Sequence, residues 1–263
     1  MLRTLVAHIY PPFIFLFWIT FFLILTKVLF SYKRKTMHIT AEMHGTRLVV
    51  SIIGGLFSIF LGFVTFISWT NYKEATGLVA QETTQIYTTW ENSRGFPSSI
   101  FQNIDKLLHA YVLSILNDEW PSMKKGKASS ITQDASNALY SEFLKYHPSD
   151  SYIQSFYNRA ISSLNAATEA RNQRINMLHV IIPTAWYLMI LIGTFTIIFV
   201  SIFLLEGIFV EICIHVMLCI FLSFYLTAII ILSHPLSGLI TISNQPYKAL
   251  MSKMDVDFRV SSQ

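Results

Sequence analysis

Four long apolar stretches, at about residues 8–30, 48–70, 180–204 and 208–232, divide the chain two and two around a polar segment of roughly a hundred residues. Each is long enough to cross the hydrocarbon core of a bilayer, which takes ~20 helical residues. The pattern predicts an all-α membrane protein with four transmembrane helices in two hairpins flanking a helical extramembrane domain. The expected divisions are 1–70 for the first hairpin, 71–178 for the domain, 179–232 for the second hairpin and 233–263 for a tail. Four crossings put the N-terminus, the insert and the tail on one side.

Within the insert the apolar spacing is helical throughout. Span two is expected to continue past the membrane, because Ala75, Val79, Glu82 and Ile86 keep its period, until Arg94-Gly95-Phe96-Pro97 breaks the chain. A second helix carries Ile100, Ile104, Leu107, Leu108, Tyr111 and Ile115 and is expected to stop at Trp120-Pro121. A third runs through Ile131, Ala135, Leu139 and Phe143 to His147-Pro148. A fourth, capped by Ser149 or Ser151, passes Phe156, Ala160, Leu164 and Ala167 and is expected to run on toward span three. The tail is too short and broken to cross. Its apolar residues predict packing at the membrane surface or on the insert.

Composition agrees with a membrane class. Mean hydropathy is +0.49, and 53% of residues are hydrophobic against 13% charged. The net charge of +4 is small and spread out, which argues against nucleic-acid binding. Cys213 and Cys219 are six apart on span four, on different helix sides, so neither a disulfide nor a thiolate metal site is expected. Span one is followed by Lys33-Arg34-Lys35 rather than a cleavage site, which predicts an uncleaved transmembrane helix. Tyr10, Trp69, Tyr72, Trp186, Tyr187 and Tyr247 collect near the insert-side membrane boundary.

Span two holds the clearest candidate chemistry. Ser51, Gly55, Ser58, Gly62 and Thr65 recur at spacings of four and three, placing five small residues in one stripe. Such a stripe lets a neighbouring helix approach closely, or lines a pore with space and hydroxyls. Glu211 and His215, four apart in span four, are intramembrane polar candidates for proton relay or cation binding, or else interfacial residues. Asp118 and Glu119 form an acidic pair at a predicted helix end, with Arg159, Arg171 and Arg174 as candidate basic partners. His38 and His44 in the short loop read as surface histidines. No nucleophile elbow, phosphate loop or metalloprotease helix occurs, so no enzyme, metal site or cofactor is expected.

Several motifs together carry a resemblance: Gly54-Gly55, Trp69 and Tyr72 leading to Ala75 and Glu82, Tyr111 ahead of Glu119-Trp120-Pro121, Arg171 and Arg174 ahead of Pro183 and Trp186, and Pro235-Leu236-Ser237-Gly238 before Pro246. The chain resembles the bestrophin-like family of bacterial membrane proteins, remotely similar to the bestrophins, which are pentameric anion channels. The resemblance implies a homo-oligomer, favouring a pentamer, that passes small inorganic ions in a bacterial inner membrane. It makes span two the pore helix, with Gly54, Gly55, Phe57, Phe60 and Gly62 as candidate lining beside Ser51, Ser58 and Thr65. A membrane-anchored sensor with the insert as a binding module is the alternative.

Which side the insert faces stays open. The loop 31–47, with Lys33, Arg34, Lys35 and Arg47, favours placing that loop in the cytosol. The bestrophin resemblance, and Lys73, Arg171 and Arg174 near the membrane ends of the insert, favour the reverse.

Overall fold

The computed structural model describes residues 9–36, 44–179, 182–236 and 241–261, and every regular element among them is helical. The helices are α1 (Pro11–Thr36), α2 (His44–Ser93), α3 (Ser98–Ser114), a π turn (Ile115–Glu119), α4 (Trp120–Lys124), α5 (Ser130–Lys145), α6 (Ser151–Asn176), α7 (Thr184–Leu204), α8 (Phe209–Leu232) and α9 (Gln245–Ser261). Four of them, α1, α2, α7 and α8, contain stretches long and apolar enough to cross a membrane. Contacts divide the chain into two units, residues 1–71 with 181–234 and residues 72–180 with 235–263.

In the first unit α1 packs most closely on α8 and α7. Its core is built from Phe22 of α1, Leu61 and Val64 of α2, Ile190, Ile198 and Ile202 of α7, and Cys219, Leu222, Leu226 and Ile229 of α8. Phe22 and Phe21 meet Phe195 edge-on at 6.2 and 5.9 Å between centroids, a favoured aromatic geometry. Large apolar side chains such as Ile59, Phe66, Phe209 and Met217 remain exposed on the outside. So much exposed apolar surface would be a liability in water and is normal in lipid. Lys33 donates to the carbonyls of Phe203 (2.8 Å) and Leu205 (2.5 Å), satisfying unpaired acceptors at the C-terminal end of α7.

The second unit has one core, formed by residues that include Ile86 and Trp90 of α2, Ile104, Leu108 and Tyr111 of α3, Leu139 and Phe143 of α5, Leu164 and Ala167 of α6, and Tyr247, Leu250 and Met254 of α9. The tail is thus a helix that contributes three side chains to this core. Pro246 in the first turn of α9 suits a helix start, where its missing N–H has no partner to lose.

Three local expectations are corrected. The second insert helix does not stop at Trp120-Pro121: a π turn, in which the Trp120 N–H reaches the Ile115 carbonyl, carries the chain past the proline to Lys124. The cap of α6 is Asp150, whose carboxylate accepts from the Tyr152 N–H at 3.2 Å, and not Ser149 or Ser151. The fourth insert helix ends at Asn176, and α7 begins separately at Thr184 behind Pro183. His38 and Ser237-Gly238 lie outside the described residues, and His44 is described by its backbone alone.

Candidate functional site

The small-residue stripe of α2 is open. Ser51, Gly55, Ser58 and Gly62 are exposed, and Thr65 is half-buried. A Cβ built on Gly54, Gly55 or Gly62 would meet no heavy atom within 4 Å. These glycines therefore do not admit a neighbouring helix of the same chain. The Ser58 and Thr65 hydroxyls donate to the Gly54 and Leu61 carbonyls at 2.8 Å, leaving oxygen lone pairs outward.

The opposite face of α2 is the packed one. Leu61, Val64 and Ser68 are buried, and the half-buried Phe57 and Phe60 turn the same way. Phe57 lies over Gly193 of α7 so closely that a Cβ there would overlap its ring. The Phe60 ring lies tilted against Trp186, 6.1 Å between centroids. Both phenylalanines therefore lie away from the stripe. Phe66, one turn beyond Gly62, is 65% exposed beside it.

Glu211 and His215 have separate partners. The Glu211 carboxylate accepts from the Glu206 backbone N–H at 2.8 Å, bracing the α7–α8 turn. His215 is buried, with Nε2 2.9 Å from Thr26 of α1 and Nδ1 2.9 Å from Ser201 of α7. The Thr26 hydroxyl already donates to the Phe22 carbonyl. It therefore accepts from Nε2–H. Through Thr26 and Ser201, His215 pins three helices together.

Asp118 and Glu119 are likewise divided. Asp118 is half-buried, whereas Glu119 is fully buried in a cluster of charges. Arg171 donates to both Glu119 oxygens, from Nε at 3.2 Å to Oε1 and 3.0 Å to Oε2 and from Nη2 at 2.5 Å to Oε2, and from Nη1 to Gln133 at 2.7 Å. Arg174 donates from Nη2 to Glu119 at 2.7 Å and from Nε to Glu82 at 2.8 Å. Tyr111 and Tyr247 donate their hydroxyls to Glu82 at 3.3 and 2.7 Å. Arg174 also lies over the Trp120 and Tyr247 rings, 5.6 and 5.7 Å from their centroids. Arg159 is exposed.

Two carboxylates and two guanidiniums make the cluster neutral, so it can be buried without a net charge. Burial opposes the Arg174 charge, but Glu82, Tyr247 and Glu119 outweigh it and hold the guanidinium protonated. Burial and the Glu82 charge raise the Tyr111 and Tyr247 phenols well above their ordinary range, so both remain donors. The cluster joins α2, α3, the π turn, α6 and α9. Among the described residues no group of three or more metal-type ligands occurs.

A smaller polar group ties α9 to α3. His109 lies between Asp105, at 3.3 Å from Nδ1, and Asp255, at 3.2 Å from Nε2. Trp90 donates to Asp105 at 2.6 Å. The Asp105 hydrogen bond lifts His109 to about 9 against the effect of burial. Burial favours the neutral Asp105 acid, but the His109 and Trp90 bonds outweigh it and lower its pKa.

The Bestrophin-like domain family matches residues 20–247, most of the chain. This chain belongs to the Bestrophin-like family. Among curated proteins none matches the sequence. Solved structures similar to this Bestrophin-like chain include a point variant of a crystallised membrane protein, at 16% identity and a TM-score of 0.70, covering 92% of this chain and 96% of that one. Two others are bacterial bestrophin homologues from Klebsiella pneumoniae. One, a point variant, has 15% identity, a TM-score of 0.69 and coverage of 92% and 96%. The other has 16%, 0.65, and 91% and 95%. At such identities the likeness is one of fold.

In the sequence of this Bestrophin-like chain Glu82 stands in a helical period and among the motifs that carry the resemblance, with no site role assigned to it. Its signal was present: a carboxylate on the apolar stripe of a helix, which demands a buried partner. His109 and Asp105 offered an i, i+4 pair, but the third member, Asp255, comes from a distant helix.

Proposed function

We propose that this chain is one subunit of a homo-oligomeric ion channel in a bacterial inner membrane, with the open face of α2 lining the pore and anions as the passing ions. The carrying observation is that the Ser51, Gly55, Ser58 and Gly62 face is unoccupied among the described residues, while Phe57 and Phe60 hold α2 against α7. A face of that kind offers hydroxyl and backbone dipoles along a path of small side chains. Thr65 and Gly54 complete it, and Phe66 supplies the apolar ring at which a pore can dewet. Family membership and the likeness to bacterial bestrophin homologues support a channel. The resemblance to bestrophins favours five copies.

No carboxylate occurs from Leu48 to Lys73. Rings of acidic side chains mark many cation pores, and their absence from this stretch of α2 suits anions. The test is purified protein in planar bilayers under a salt gradient. The reversal potential should follow the anion, and Gly62→Leu should reduce unitary conductance. Silent bilayers together with a monomer in detergent would overturn the proposal.

A further inference from the structure

The outer face of α1 changes character along its length. Leu16, Leu23 and Ile24 are exposed on it, and the next positions on the same side are Lys27, Ser31 and Arg34, also exposed. Lys27 and Arg34 are seven residues apart and so lie nearly in line on the helix. Lys35 stands beside them, exposed. Among the described residues none of Lys27, Arg34 and Lys35 makes an ion pair or hydrogen bond.

The depth of Lys27 follows from its neighbours. Lys33 reaches the Leu205 carbonyl at the α7–α8 turn, which marks the membrane end of that hairpin. Lys27 is six residues earlier, so its Cα lies ~9 Å deeper at 1.5 Å per residue. Thr26, beside it, bonds to the buried His215 at the same depth. Lys27 is therefore a cation on the outside of a spanning helix, below the end of the span. A charge there is costly unless its long stem carries it toward the headgroups or an anion meets it. A Lys27 stem extended toward the headgroups carries its ammonium toward the turn that holds Arg34, above an apolar strip.

From this juxtaposition we infer a binding site for an anionic phospholipid on the outer face of α1. Its phosphate is held by Lys27 and Arg34, with Lys35 at the rim, and its acyl chain lies along Leu16, Leu23 and Ile24. Lys33 is not a member, because its ammonium is committed to the end of α7. The site is independent of whether α2 lines a pore.

The test is native mass spectrometry of the full-length protein in mild detergent, titrated with phosphatidylglycerol or phosphatidylcholine. Wild type should bind phosphatidylglycerol roughly tenfold or more tighter, since each basic residue at a headgroup contributes about 1 kcal/mol. Lys27→Gln/Arg34→Gln should lose most of that preference, and Lys27→Arg should keep it, which separates lost charge from lost folding. Equal binding of the two lipids by wild type, or an unchanged preference in the double variant, would overturn the site. So would an oligomer that dissociates in Lys27→Gln with the lipid preference intact, because Lys27 would then face a carboxylate of a neighbouring copy.

Discussion

Arg174 Nε lies 2.8 Å from Glu82 Oε2, and both side chains are wholly buried. The two residues are 92 positions apart, so the bond joins α2 to α6. Removing one partner leaves the other charge buried and unpaired. Arg174→Met should therefore destabilise the protein by about 3–5 kcal/mol. Arg174→Lys should rescue little, because one ammonium cannot reproduce a guanidinium that bonds Glu82 and Glu119 together. Thermal unfolding in detergent, followed by circular dichroism, measures both. A midpoint for Arg174→Met within a degree of wild type would show that the pair contributes little.

Tyr247 brings α9 into the same cluster through one hydroxyl on Glu82 at 2.7 Å. Tyr247→Phe keeps the ring and its contacts with Trp120 and Arg174 but deletes that bond. The expected loss is about 1.5–3 kcal/mol, the usual range for a hydrogen bond to a charged group. Because Leu250 and Met254 still anchor α9, the protein should fold with a tail that opens more readily. Faster hydrogen exchange over 245–261, with exchange in α5 unchanged, is the expected signature.

His109 gives the contact between α3 and α9 a pH dependence. Its folded pKa, about 9, lies above the ordinary 6.5, so the folded state holds the proton more tightly than the unfolded chain. The stabilisation is complete below about 6.5, declines as pH rises, and is gone once pH passes about 9. The unfolding midpoint of wild type should therefore fall between pH 7 and 9.5 by more than that of His109→Gln. Parallel profiles would exclude His109 as the titrating group. Asp255→Asn should flatten part of the same slope, since Asp255 contributes one of the bonds that raise His109.

Much of this fold was readable along the chain because membrane helices announce themselves by length and composition. The extension of span two was also readable, since Val79, Glu82 and Ile86 keep its helical period up to the Gly95-Phe96-Pro97 break. Where the reading failed, a local rule met tertiary structure. Trp120-Pro121 looks like a stop, and a π turn passes it with Glu119 held by two arginines. Span three looked continuous with the insert, yet Pro183 separates them. Spacing identified the α2 stripe, but whether it packs within the chain depends on where Phe57 and Phe60 point. The resemblance names those two among the candidate lining residues, and in the structure they meet Gly193 and Trp186.

That division of α2 gives a test of its two faces. Gly55→Leu and Gly62→Leu add bulk where nothing lies within 4 Å, so neither variant has a steric reason to disturb the isolated subunit. In a pore the same bulk narrows the path, and both variants should conduct several-fold less than wild type. Phe57→Ala acts on the other face. It removes a ring packed on Gly193, leaves a void there and should lower the unfolding midpoint. Its unitary conductance should stay close to wild type, because Phe57 does not reach the open stripe. The outcome that sinks the assignment is the converse: unchanged currents in both glycine variants and altered ion selectivity in Phe57→Ala, which would move the conduction path to the α7 side of the helix.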